Sequence, residues 1–173
     1  MKKWSADLNA ALAAVEVEPP GYAHTLETAK SMRTFGKVFF IGNGGSAAIA
    51  SHMSIDWLNK GRFEAISLTD PAALTCIAND YGYRDVFERP LMRHFGKHDI
   101  LFAISSSGES ENIIAAAMSA SRVGTVITLS GFESDNRLRQ LGVVNFYVPS
   151  KSYGIVETAH LAILHALLDE LAA

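Results

Sequence analysis

The feature that most constrains the fold of this chain is an alternation of short β-rich runs with longer helical patterns. The runs fall at 37–42, 64–69, 99–104, 125–130 and 143–148. Several are near-continuous apolar stretches, which suits parallel strands buried on both faces. Helical patterns fill the intervals at 46–59, 71–79, 86–95, 110–122 and 134–140. Repeated β-α-β units imply right-handed crossovers. The pattern therefore predicts an α/β, doubly wound three-layer sandwich with a five-stranded parallel sheet. At 173 residues the chain reads as a single domain, with N-terminal helices over 1–35 and the sandwich over 36–173.

The two ends carry helices of a different kind. Trp4, Leu8, Leu12 and Val15 recur at spacings of four, four and three and make a narrow apolar stripe. Glu18-Pro19-Pro20-Gly21 ends that helix, and a second is expected over 22–35. Because the first helix precedes the sheet, the stripe is expected to pack on a partner subunit; folding back onto its own sheet is the alternative. The segment 155–171 carries Leu161, Leu164, Leu168 and Leu171 on one face.

Composition narrows the function. A hydrophobic share of 49%, a charged share of 19% and a net charge of −3 exclude a disordered chain and remove any broad basic footprint for nucleic acid or anionic lipid. The single cysteine, Cys76, can form neither an intrachain disulfide nor a Cys-rich zinc module, and fits a reducing compartment. No run approaches the ~18 apolar residues of a membrane span. Asp7, Asn9 and Glu16 interrupt the apolar run that a signal peptide would need. The expectation is a cytoplasmic protein with no nucleic-acid or membrane partner.

Two strand ends have unusual composition. After the first comes Gly42-Asn43-Gly44-Gly45-Ser46, opening a helix. The glycines let the backbone turn sharply and approach a ligand, and Ser46 can donate a hydroxyl at the helix N-terminus. After the third comes Ser105-Ser106-Ser107-Gly108-Glu109-Ser110, again opening a helix. Four hydroxyls beside free N–H groups and a positive dipole end make an anion site without Lys or Arg. Neither G-x-G-x-x-G spacing nor a Gly-Lys-Ser/Thr follows the first strand, so a triphosphate is not expected. Both loops at strand carboxyl ends point to a bound phosphate.

A metal site is also indicated. His52 and Asp56, spaced i and i+4, share one helix face and can grip one ion. Glu157, His160 and His165 lie on the last helix. Local spacing favours His160 as the partner of Glu157, while Glu157 and His165 are about two turns, or ~12 Å, apart. Imidazoles and carboxylates together suit zinc. His24, His94 and His98 are expected at the surface.

Gly42 to Asp56 (GNGGSAAIASHMSID), Asn79-Asp80-Tyr81-Gly82 and SSSGES together resemble the sugar isomerase (SIS) domain, and within it the phosphoheptose isomerase subgroup. The resemblance covers nearly the whole chain. It implies an aldose–ketose isomerase acting on sedoheptulose 7-phosphate through an enediol, a homotetramer with sites at subunit interfaces, and one Zn(2+) per subunit. By position it implies phosphate contacts at Ser46, Ser105, Ser106, Ser107 and Ser110, and sugar contacts at Asn43, with Gly44 beside it, and Asp80. It implies a metal set of His52, Asp56, Glu157 and His165, which takes His165 over His160. This chain departs from the family pattern in having Asp56 for Glu, Glu157 for Gln, Lys60 for Arg and Gly154 for Asp. Glu157 is expected to take the proton, with Asp56 the alternative base and His165 the returning acid. The same scaffold also serves non-catalytic regulators that bind a phosphosugar or a partner protein, such as the DnaA initiator-associating protein. Both histidines and two acids favour the enzyme.

Overall fold

In the computed structural model, which describes residues 1–18, 21–32 and 36–173, one sheet divides the molecule into three layers. Its strands in chain order are β1 (Glu16–Val17), β2 (Lys37–Gly42), β3 (Glu64–Ser67), β4 (Ile100–Ile104), β5 (Thr125–Gly131) and β6 (Val144–Val148). Across the sheet they run β1-β6-β5-β4-β2-β3. The five expected strands are parallel. The sheet has a sixth strand that periodicity did not reveal, the two-residue β1, antiparallel to β6 with Glu16 opposite Tyr147. A strand this short has no period to read.

The helices are α1 (Lys2–Ala13), α2 (Gly21–Met32), α3 (Gly45–Asn59), α4 (Pro71–Tyr81), α5 (Glu88–His94), α6 (Glu111–Ala120) and α7 (Tyr153–Ala172). The expected second helix extended to 35; its last three residues lie outside the described residues. Successive strand residues alternate between two cores, as the period of two requires. Val38, Phe40, Phe102, Leu129 and Phe146 face one core with Trp57 of α3 and Leu164 and Leu168 of α7. Phe39, Ile41, Leu101 and Val126 face the other with Leu91 of α5 and Ile113 and Ala117 of α6. Burying the strands on both faces is what their unbroken apolar runs encode.

The helix expected over 134–140 is corrected. Residues 134–140 do not form an α-helix; only a single 3-10 turn, Leu138–Gln140, appears there. On the α1 stripe, Leu8, Leu12 and Val15 are partly buried against the chain's own first core, where α1 lies against α7, and Trp4 is exposed. Among the described residues no helix is long and apolar enough to cross a membrane.

Candidate active site

The sheet order reverses between β2 and β4. The chain leaves β2 for β3 on one side and returns to β4 on the other. Connections therefore diverge to opposite faces there and open a crevice beyond the carboxyl ends, the usual ligand position in such sheets. The two loops singled out in the sequence are the ones that follow β2 and β4.

At the end of β2, a Cβ on Gly42 would collide with the backbone of Ser46, so only glycine allows α3 to start this close to its strand. Gly44 takes φ 53°, and α3 begins without a side-chain cap. At the end of β4, the Ser105 amide donates to the Leu129 carbonyl at 3.0 Å, tying the serine loop to β5. The Gly108 amide (φ 69°) donates to the Ser105 hydroxyl at 3.2 Å, and Ser105 donates on to Ser110 Oγ at 3.2 Å. Glu109 N donates to Ser107 Oγ at 3.2 Å. Ser110 precedes α6, which also lacks a side-chain cap. Two helix N-termini thus meet at one place, and uncapped first-turn N–H groups favour an anion.

Between them lies a cavity of about 250 Å³ lined by Asn43, Gly44, Gly45, Ser46, Ile104, Ser105, Ser106, Ser107, Ser110, Tyr153 and Glu157. Among the described residues no Lys or Arg lines it. Ser106 is buried, and its Oγ has no hydrogen-bond partner among the described residues. A buried hydroxyl without a partner is costly unless a ligand completes it. The structure thus brings Asn43, Gly44, Ser46 and the four loop serines together.

The metal candidates form a second group further along the same pair of helices. Glu157 lies against Gly45, where a Cβ would collide with its carboxylate, and His165 lies against His52. Helices α3 and α7 therefore run side by side in the same direction. His52 Nε2 and His165 Nε2 are 3.2 Å apart. Asp56 Oδ2 is 3.6 Å from His52 Nε2 and 3.9 Å from His165 Nδ1. These three residues offer ligand atoms all within 4.8 Å of one another. Two nitrogens on a tetrahedral zinc ion would sit about 3.3 Å apart, given bonds of ~2.05 Å. The donor set and spacing fit such an ion.

Glu157 is not part of that cluster among the described residues; it lines the cavity between the two loops, about two turns from His165, or ~12 Å along the helix. The spacing-based alternative, His160, is not in that cluster among the described residues; it is fully buried with Nε2 3.1 Å from the Ser130 carbonyl. Asp80 is exposed at the end of α4, where it accepts from Asn79 at 2.9 Å, and does not line the cavity. Lys60 is exposed just beyond α3, and Gly154 lies in the first turn of α7. His24, His94 and His98 are exposed as expected.

Sequence reasoning missed Asn112 and Tyr83. Asn112 is buried and joins its amide reciprocally to that of Asn43, with both bonds at 2.9 Å. Tyr83 donates its hydroxyl to Asn43 Oδ1 at 3.1 Å. One signal was available for Asn112: a lone amide in the apolar α6 sequence ENIIAAAMSA, where burial demands a partner.

Residues 21–131 match the SIS domain family. A phosphoheptose isomerase of Cytophaga hutchinsonii is 37% identical over 145 residues, 80% of this chain and 75% of the relative. One from Halorhodospira halophila is 38% identical over 150 residues, 82% of this chain and 76% of the relative. The solved structure of a phosphoheptose isomerase from Francisella tularensis superposes with a TM-score of 0.85 at 30% identity, covering 98% of this chain and 93% of that one. The chain belongs to the phosphoheptose isomerase family of SIS-domain proteins.

Proposed function

We propose that this protein is a sugar-phosphate isomerase that interconverts sedoheptulose 7-phosphate and D-glycero-D-manno-heptose 7-phosphate. The observation that carries this reading is the convergence of two uncapped helix N-termini and four loop serines on one cavity whose wall includes a carboxylate. Family membership supports it, since the relatives are named for this activity.

The phosphate takes the cavity. Ser46, Ser105, Ser106, Ser107 and Ser110 donate hydroxyls to it, and the first-turn amides of α3 and α6 add a fixed positive field. Anchoring this end supplies binding energy that orients the reacting carbons. Asn43 and Asp80 contact the sugar, Asp80 from outside the cavity described in one chain. Glu157, outside the His–Asp cluster, removes the proton next to the carbonyl and, as its carboxylic acid, gives the same proton back at the neighbouring carbon; His165, a member of the metal cluster about two turns away, takes no part in that transfer. Asp56, fixed beside both histidines, acts as a ligand. His52, Asp56 and His165 hold one zinc ion, which when bound polarises the carbonyl oxygen as a Lewis acid.

In this reading four copies assemble and complete each other's sites. The His–Asp cluster is half exposed in one chain, with His52 50% and His165 34% accessible at the side chain. Ile55 and Leu58 are exposed on the same helix, an apolar pair that a second copy would cover.

The test compares Glu157→Gln with Asp56→Asn for turnover and for metal content. Glu157→Gln should keep the metal and lose turnover by about 100-fold or more, the usual scale for a general base. Asp56→Asn should lose both. Full activity in Glu157→Gln would assign the base to Asp56.

A further inference from the structure

The amide pair formed by Asn43 and Asn112 has a defined polarity. On its own, a reciprocal pair of primary amides is satisfied equally well with both groups turned over, because each still donates one N–H and accepts one. A third contact removes that degeneracy. The backbone N–H of Ile113, which can only donate, is shared between the Ser110 carbonyl and Asn112 Oδ1, each at 3.0 Å, and would meet a second donor if the amide were turned over. The carbonyl oxygen of Asn112 is thereby fixed toward the start of α6, and its Nδ2 must face Asn43 Oδ1.

The remaining valences can then be counted. Asn43 Oδ1 accepts from Asn112 Nδ2 at 2.9 Å and from the Tyr83 hydroxyl at 3.1 Å, which fills both lone pairs. Asn43 Nδ2 has two hydrogens and gives one to Asn112 Oδ1 at 2.9 Å. One N–H is left without a partner among the described residues, and Asn43 is a wall residue of the cavity between the two loops. The amide therefore offers the ligand a donor and no acceptor.

We propose that Asn112 is a positioning residue that sets the amide polarity of Asn43, so that Asn43 presents a single N–H to an acceptor oxygen on the sugar portion of a phosphosugar. The inference rests on the isomerase reading above for its choice of ligand. Asn112 acts from beneath the surface: it is 3% exposed and does not line the cavity. It joins the loop after β2 to the first turn of α6, so the two halves of the site share one hydrogen-bond relay. A sugar oxygen that can accept is recognised, while the phosphate is held independently by the serine loop.

The experiment is calorimetric titration of three ligands into the parent protein and into Asn112→Leu, a neutral variant of similar volume. The ligands are sedoheptulose 7-phosphate, inorganic phosphate and heptyl phosphate, which has the chain length without the hydroxyls. In Asn112→Leu, affinity for the sugar phosphate should fall about tenfold, the equivalent of one hydrogen bond. The other two ligands should stay within about twofold, since neither uses the Asn43 donor. Asn112→Ser, a small polar residue well tolerated in a first helical turn, gives the same split if the leucine variant does not fold. Equal losses for all three ligands would show that Asn112 only supports the loops, and would overturn the proposal. Parent-like affinity for the sugar phosphate would do the same. A parent that binds the sugar phosphate without isomerising it removes the isomerase reading but leaves the relay to be decided by the affinity split. A parent that binds no phosphosugar removes both.

Discussion

His160 and His165 sit on one helix and have opposite environments. His165 is part of the His–Asp cluster. His160 is buried, with Nε2 against the Ser130 carbonyl at 3.1 Å and no partner at Nδ1 among the described residues. Burial pushes its pKa from 6.5 down to about 4, against a smaller upward effect of the Ser130 bond. The folded protein therefore keeps this imidazole neutral. Above about pH 6.5 neither folded nor unfolded chain protonates it, and its contribution to stability is complete. As pH falls from about 6.5 to about 4 the unfolded chain takes up a proton that the folded chain refuses, and stability declines by an amount on the order of 3 kcal/mol. His160→Gln, which can still donate to Ser130, should flatten that part of the profile in urea titrations. Parallel profiles for variant and parent would assign the acid sensitivity to other groups. Spacing could not separate these histidines, because helical periodicity gives the direction of a side chain but not what fills the space it points into.

Whole elements were more legible than single side chains. Parallel strands and α3, α4, α5, α6 and α7 follow from apolar runs and helical periodicity, with boundaries moved by a few residues. The stripe on α1 was read correctly as apolar, and Leu8, Leu12 and Val15 rest partly on the chain's own first core. The reason is β1: by pairing antiparallel with β6, it turns the chain so that α1 lies along α7. The clamp is reinforced where Arg139 meets Glu16 and Glu18, each at 2.8 Å. Leu12, packed on the first core but only partly buried, should cost about 1–2 kcal/mol when changed to Ala, at the low end of core truncations. Denaturant midpoints will report it. A Leu12→Ala protein as stable as the parent would mean that α1 does not pack on α7 in solution.

For the whole molecule, the proposed tetramer has exposed apolar side chains on both α1 and α3 to build on. Leu8, Leu12 and Val15 are used within the chain, whereas Trp4, Ile55 and Leu58 remain exposed at 39%, 54% and 47%. Light scattering should report four subunits. Ile55→Asp combined with Leu58→Asp should reduce that mass, because charges in an apolar contact are desolvated without partners. A monodisperse monomer of the parent at micromolar concentration would rule the tetramer out.

The sequence by itself determined the five parallel strands and the two Gly- and Ser-rich loops at their ends, since each is a local pattern: unbroken apolar runs, glycines at tight turns, serines at helix starts. It also placed His52 and Asp56 on one face, because four residues make about one helical turn. The choice of His165 over His160, left open by spacing and implied only by the family resemblance, rests on the tertiary structure, which also decided that Glu157 lies apart from the cluster, on the wall of the cavity between the two loops. The same structure decided that Asn112 orients Asn43. These outcomes depend on which helices lie side by side and on what fills the space between them. Contacts between residues more than a hundred positions apart, such as His52 with His165, leave no local pattern to read.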